Sequence, residues 1–206
     1  MAFNYVFWST KVPRNVAHLD SLVGFEDDFE IADGISHAAD IPDDVYFDMR
    51  QDFPDNTLLA DQHSNTNAFV LVSQRLRDFL AERVPEGIEL LPTHIHDHKG
   101  KQVPEPYYIV NPLGTYPLLD EPRCNIVERS ERRIIKLERL AIHEDRIPAN
   151  RPLLRIDQLA RYVAIRRDLA DAISSGQFTG LRWVEPVELE NIRIPADLVS
   201  LRPRKS

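Results

Sequence analysis

FVLVSQRLRDFLAERVPEGIELL, residues 69–91, holds the pattern from which the fold can be read. It opens with an apolar run, Phe69 to Val72, whose length and composition fit a strand. Ser73 follows as a candidate N-cap, because its hydroxyl can accept from the free amides of a first helical turn. Leu76, Phe79 and Leu80 then recur at helical spacing and define a buried stripe. Pro85 and Gly87 end that helix, and Ile88 to Ile95 reads as a second strand. The same order returns at YVAIRRDLADAISSGQFTGLRWV, residues 162–184, without a gap. Val70 falls on Val163, Val72 on Ile165, Leu76 on Leu169, Leu80 on Ile173, Gly87 on Gly180 and Ile88 on Leu181. In the second helix Leu169, Ala172 and Ile173 form the expected buried face. Arg166 stands where Ser73 caps the first helix, and Asp168 is placed to favour the positive helix end. Two such units are read either as half-domains around one core or as a local coincidence, since strand–helix–strand is a common pattern.

Outward from these units the chain is rich in extended segments. Residues 2–8 form a first strand with Phe3, Tyr5 and Phe7 on one face. Turn residues dominate 9–45, with short strands expected there, for example over Phe25 to Ile31. Val45, Phe47 and Met49 share one side of an extended segment. Leu58 and Leu59 precede a polar loop, DQHSNTN. Tyr107 to Val110 is a strand, Asp120 to Arg123 a turn, and Leu153 to Ile156 a short strand. The segment Ile134 to Ile142 contains helix formers, yet Ile135 and Leu137 alternate, as do Leu140 and Ile142, and it is read as strand. The expected class is α+β, a mostly antiparallel sheet with a few short helices and the two strand–helix–strand units. Residues 1–206 are expected as a single domain, or as two halves: 1–125 with the first unit and 126–206 with the second.

Composition narrows the function. The chain has 206 residues, 43% of them hydrophobic and 28% charged, which is ordinary for a globular protein with a sizeable core. One cysteine, Cys124, excludes an internal disulfide and fits a reducing, cytoplasmic setting. The opening MAFNYVFWSTKVPRN lacks early positive charge and a sustained apolar core, so no signal peptide is expected. The longest apolar run, Ala68 to Val72, is far too short to span a membrane. The net charge of −8 is unevenly spread. Residues 26–61 hold twelve Asp and Glu against Arg50 alone, a net of −11. Such a belt repels nucleic acid and attracts basic partners, or serves solubility alone.

His94-Ile95-His96-Asp97-His98 is the other feature with chemistry in it. Residues two apart in a strand point the same way, so His94 and His96 could grip a metal ion, with His98 or Asp97 completing the set. The competing reading makes Asp97 to Gly100 the tip of a hairpin that returns along Tyr107 to Val110, with histidines that bind nothing. No CxxC or HExxH accompanies them. Cys124 reads as a small packed residue rather than a nucleophile.

Three stretches resemble a known family. FVLVSQRLRDFLAERVPEGIELLPTHI begins the likeness, YYIVNPLGTYPLLDEPRC continues it, and LLRIDQLARYVAIRRDLADAISSGQFTGLRWVEP closes it, over about residues 58–186. Leu153-Leu154-Arg155, Ser73 and the Thr179-Gly180 turn match its pattern, whereas Arg166 and Cys124 stand where it prefers Ser. The family is the eleventh immunity family of bacterial polymorphic-toxin systems. The resemblance implies a protein that binds a cognate toxin domain and blocks it, with no catalytic residue carried over, so neither enzyme activity nor a cofactor is expected. Charge, hydropathy and the single cysteine add the expectation of a cytoplasmic protein with no nucleic-acid or membrane partner. A basic toxin would meet the acidic belt at Asp27, Asp28, Glu30, Asp40, Asp43, Asp44 and Asp48. The rival expectations are a metal-binding protein or metal-dependent enzyme built on His94, His96 and His98, and a non-catalytic scaffold.

Overall fold

A computed structural model describes residues 4–130 and 133–189. The first half of the chain gives β1 (Tyr5–Thr10), β2 (Leu19–Val23), α1 (Asp28–Ala32), β3 (Tyr46–Met49), β4 (Gln62–His63), β5 (Val70–Ser73), α2 (Gln74–Arg83), β6 (Ile88–His96) and β7 (Tyr107–Pro112). The second half adds β8 (Asn125–Ser130), β9 (Arg133–Arg139), β10 (Leu153–Arg155), β11 (Val163–Arg166), α3 (Arg167–Ser175) and β12 (Leu181–Val184). The class is α+β, as expected. One sheet runs β2-β3-β6-β7-β5-β4, a second runs β10-β11-β1-β12, and β8 pairs with β9. Among these pairs only β3 with β6 is parallel.

Both expected units form, and they share a topology that no local pattern announces. In the first, β5 and β6 do not touch; β7 lies between them, antiparallel to each. In the second, β11 and β12 are parted in the same way by β1. Each unit is therefore a split strand–helix–strand motif around an inserted strand. The inserted strand comes from later in the chain in one case and from its beginning in the other. The two helices and one side of each sheet meet in a single cluster. It includes Val72 and Val110 of the first sheet, Val6 and Ile165 of the second, Leu76 and Leu80 of α2, and Leu169 and Ile173 of α3. Full burial of each such side chain contributes about 1.5–3 kcal/mol. In α3 Ala170, rather than Ala172, completes the buried face.

The helix starts differ as their sequences do. Ser73 accepts from the Leu76 amide and also donates to Asp61 at 2.9 Å. Arg166 makes no side-chain cap; Asp168 accepts from the Leu169 amide at 2.8 Å instead. Ser73→Ala is expected to lower stability by about 1–2 kcal/mol. Arg166→Ala, which loses only surface contacts, is expected to cost less than about 1 kcal/mol. Urea midpoints of the two variants measure the difference; equal losses would show that the cap does not hold α2.

The six-stranded sheet curls until its ends nearly meet. The Leu19 amide donates to Ser64 O (3.0 Å), just past β4, and the Leu22 amide donates to Asn67 Oδ1 (2.7 Å). Its inner face holds Leu19, Phe47, Met49, Leu71, Ile95 and Ile109, closed at one end by Ile31 and Ala32 of α1. The strand expected over Phe25 to Ile31 is this short helix. Its alternation of apolar residues misleads, because Phe29 is 47% exposed while Ile31 and Ala32 are buried. Asp28 and Glu30 sit in the first turn, where the helix end favours negative charge. The expected polar loop DQHSNTN instead contains β4, with Gln62 and His63 almost fully buried. Gln62 accepts from Trp8 Nε1 (2.6 Å) and donates to Thr10 (2.7 Å), and His63 Nε2 accepts from the Ala60 amide (3.0 Å). Buried polar groups must be bonded, and these are.

The four-stranded sheet packs its other face, with Tyr5, Phe7 and Ala164, against Ile134 and Leu137 of β9. The strand reading of Ile134 to Ile142 therefore holds over β9, and Tyr5 and Phe7 share a face as expected. Phe3 lies outside the described residues. Among the described residues no helix is long and apolar enough to cross a membrane.

Candidate partner-binding surface

The acidic segment divides into two parts by what its carboxylates touch. Asp27, Asp28 and Glu30 cluster at the start of α1. Asp28 accepts from Asn67 Nδ2 at 2.6 Å, which ties the helix to the rim of the curled sheet. Glu30 and Asp40 flank His37, whose ring nitrogens lie 3.6 and 3.3 Å from their oxygens. His37 is 3% exposed and meets Phe25 edge to face at 5.0 Å. Its amide donates to Glu89 (3.0 Å), which also accepts from Asn111 Nδ2 (3.2 Å). Asp28, Glu30 and Asp40 are thus engaged with the protein's own residues, whereas Asp27 is exposed and makes no cap bond.

Asp43, Asp44 and Asp48 are arranged differently. Asp43 and Asp44 are exposed on the approach to β3, and Asp48 is half-buried on the strand. The strand register explains what lies around them. Phe47 pairs with Leu22 and Ile95 and turns inward. Tyr46 and Asp48, one residue to either side, therefore face outward. Val23 pairs with Tyr46, Tyr46 with His94, and Asp48 with His96, so all five share the outer face. Over β5 and β7 this outer side is covered by the packing of α2. Here it is open: Val23 is 39% exposed, and Tyr46, His94 and His96 are half-buried. The Tyr46 and His96 rings stack with centroids 4.0 Å apart and planes 25° apart.

The three histidines do not converge. His94 Nε2 donates to the Asp43 carbonyl (3.1 Å), and its Nδ1 accepts from Gln102 Nε2 (2.8 Å). His96 stacks on Tyr46, with Nδ1 3.7 Å from Asp48. His98 Nε2 donates to the Arg50 carbonyl (3.2 Å). Asp97 accepts from the Lys99 and Lys101 amides at 2.8 and 2.9 Å and forms the expected hairpin tip. Among the described residues no group of three His, Cys, Asp or Glu is placed to hold a metal ion. Cys124 packs against Ala141, donating from Sγ to its carbonyl at 3.3 Å, and burial pushes the thiol pKa up. A thiol so held is poorly suited to nucleophilic work.

Tyr46 was not singled out by the sequence reading, although a signal existed. It lies in the register opposite to Val45, Phe47 and Met49, so the alternation that marks the core also marks the outward residues between them. Asp61 was missed as well. Its carboxylate accepts from Ser73, from Arg75 and from both the amide and hydroxyl of Thr179. It joins the first unit to the turn of the second.

The family described as Immunity protein family (Imm11) matches the chain over residues 13–188. That span takes in both units and extends the resemblance back through the whole acidic segment. No curated protein matches the chain.

Proposed function

Because the chain belongs to the Imm11 immunity protein family, we propose that it binds and neutralises a cognate bacterial toxin domain by stoichiometric occlusion, without chemistry of its own. The observation that carries this reading is the family match over residues 13–188. The acidic segment supports a basic partner: a face rich in Asp favours encounter with a positive surface and disfavours wrong partners. Asp27, Asp28, Glu30, Asp40, Asp43, Asp44 and Asp48 are the proposed contact residues, and the cytoplasm is the proposed compartment.

The test begins with capture from the host at low and high salt, followed by assay of the captured toxin domain. Toxin activity titrated with this protein should fall to zero at a one-to-one ratio. Complete inactivation at a small fraction of that ratio would overturn the binding mechanism in favour of catalysis. Reversal of Asp43, Asp44 and Asp48 to Lys is expected to weaken binding at least tenfold, roughly, and to remove its decline with salt. Unchanged affinity and salt dependence in that triple variant would remove the acidic face from the proposal.

A further inference from the structure

We propose that the open outer face of β2, β3 and β6 takes cationic side chains of the toxin domain, with the stacked Tyr46–His96 pair as its anchor. This rests on the immunity reading above and adds to it the contact chemistry. The acidic residues are not equivalent. Three near α1 have partners within the protein: Asp28 holds Asn67, and Glu30 and Asp40 face His37. Asp48 instead lies on the same outer face as Tyr46 and His96, and exposed Asp43 and Asp44 rim it.

That combination selects a class of side chain. The stacked rings, 4.0 Å apart, cover one face of each other and each keep a second, and a guanidinium or ammonium over such a face is attracted by its quadrupole. Carboxylates beside the platform supply the counter-charge, and with a guanidinium they can bond in pairs. Val23 and Pro92, both exposed, give the apolar ground on which the stem of an Arg or Lys can lie. The occupant that fits charge, π surface and apolar floor together is a protein surface bearing Arg or Lys. An aromatic anchor beside such charges is the composition of an interface hot spot. The rim carboxylates steer, whereas Tyr46 holds, so the two kinds of substitution separate in experiment.

Titration of the protein with the tripeptide amide Arg-Arg-Arg, followed by NMR, tests the face without the toxin. Ring resonances of residue 46, His94 and His96 are expected to shift in the wild type and in Tyr46→Phe, and those of His94 and His96 to stay still in Tyr46→Ser. Shifts confined to other residues overturn the proposal. With the captured toxin domain, Tyr46→Ser is expected to bind about thirtyfold more weakly at every salt concentration. Tyr46→Phe should bind as the wild type does, and Asp43→Asn with Asp44→Asn should chiefly flatten the salt dependence. Unfolding midpoints near that of the wild type keep the comparison among folded proteins. If the toxin is neutralised one-to-one and Tyr46→Ser binds it as tightly as the wild type, this face is refuted and the immunity reading stands. If no captured domain is toxic or neutralised, the immunity reading falls and the proposal falls with it.

Discussion

Gly180→Ala is expected to destabilise the protein by more than about 3 kcal/mol. Gly180 has φ +85°, a conformation that costs an L side chain energy before any contact is counted. An added Cβ would also fall well inside contact distance of the Gln62 carbonyl oxygen, and 3.3 Å from the Ala60 Cβ. That backbone cannot retreat cheaply. The Gln62 amide donates to Thr179 O (3.1 Å), the Lys11 amide donates to Gly180 O (2.9 Å), and the Gln62 side chain holds Trp8 and Thr10. Gly87 occupies the equivalent place in the first unit, at φ +80°, and there a Cβ would meet the guanidinium end of Arg151. A long side chain swings aside, so Gly87→Ala is expected to cost only about 1 kcal/mol, mostly backbone strain. Urea unfolding of both variants measures the contrast. Losses of equal size would show that the Gln62 contact yields easily, against the picture of two units locked together at this turn.

Asp61→Ala is expected to cost about 2–4 kcal/mol. The Asp61 side chain is only 11% exposed and gathers donors from both units: Ser73 Oγ at 2.9 Å, Arg75 Nη2 at 2.8 Å and the Thr179 amide at 2.8 Å. Arg75 is itself well exposed, so its ion pair contributes a small part. The larger part is the loss of the acceptor for Thr179 and Ser73. Arg75 also donates to Gly176 O and Gln177 O (both 3.2 Å) and covers the Phe178 ring at 4.1 Å, so α2 grips the end of α3 through this one corner. The site carries a pH signature. Burial raises the Asp61 pKa, but hydrogen bonds from Arg75, Thr179 and Ser73 outweigh it and hold the carboxyl below the ordinary range. The stabilisation is fully present above the unfolded-state value of about 3.9 and is lost as pH falls through the lower folded value. Asp61→Asn should therefore lose less stability than the wild type as pH falls below about 4. Parallel acid-unfolding curves for the two proteins would contradict it.

How much of this was readable beforehand depends on the range of the interaction. The units at 69–91 and 162–184 announce themselves because helical spacing and strand runs are local patterns. The segment of β9 reads as strand against competing helix formers, and its irregular ladder turns Ile134 and Leu137 inward rather than the alternating Ile135 and Leu137. Helix α1 is five residues long, too short for a period to emerge, and its exposed Phe29 imitates a strand. Gln62 and His63 look like loop residues because their burial is stabilised by partners far away in sequence, Trp8 and Ala17. The β6–β7 hairpin is local, but the pairing of β7 with β5 and of β1 with β11 and β12 spans long separations that no window of sequence contains. At the surface, charge was legible and geometry was not. Asp43, Asp44 and Asp48 could be picked by counting, but only the pairing of β3 with β6 puts Asp48 beside a stacked Tyr46 and His96.

The near-closure of the six-stranded sheet bears on how such a protein can change. Because the Leu19 and Leu22 amides of β2 are already bonded to the segment after β4, that edge offers little main chain for a visiting strand to zip onto. A partner approaching this side reads side chains alone. Those side chains alternate with the ones on the sheet's inner face, Tyr46 and Asp48 against Phe47 and Met49. If the proposed face is the binding face, recognition and folding are written in interleaved letters of one short strand. The outward residues can be changed singly, while the inward ones keep the scaffold the same.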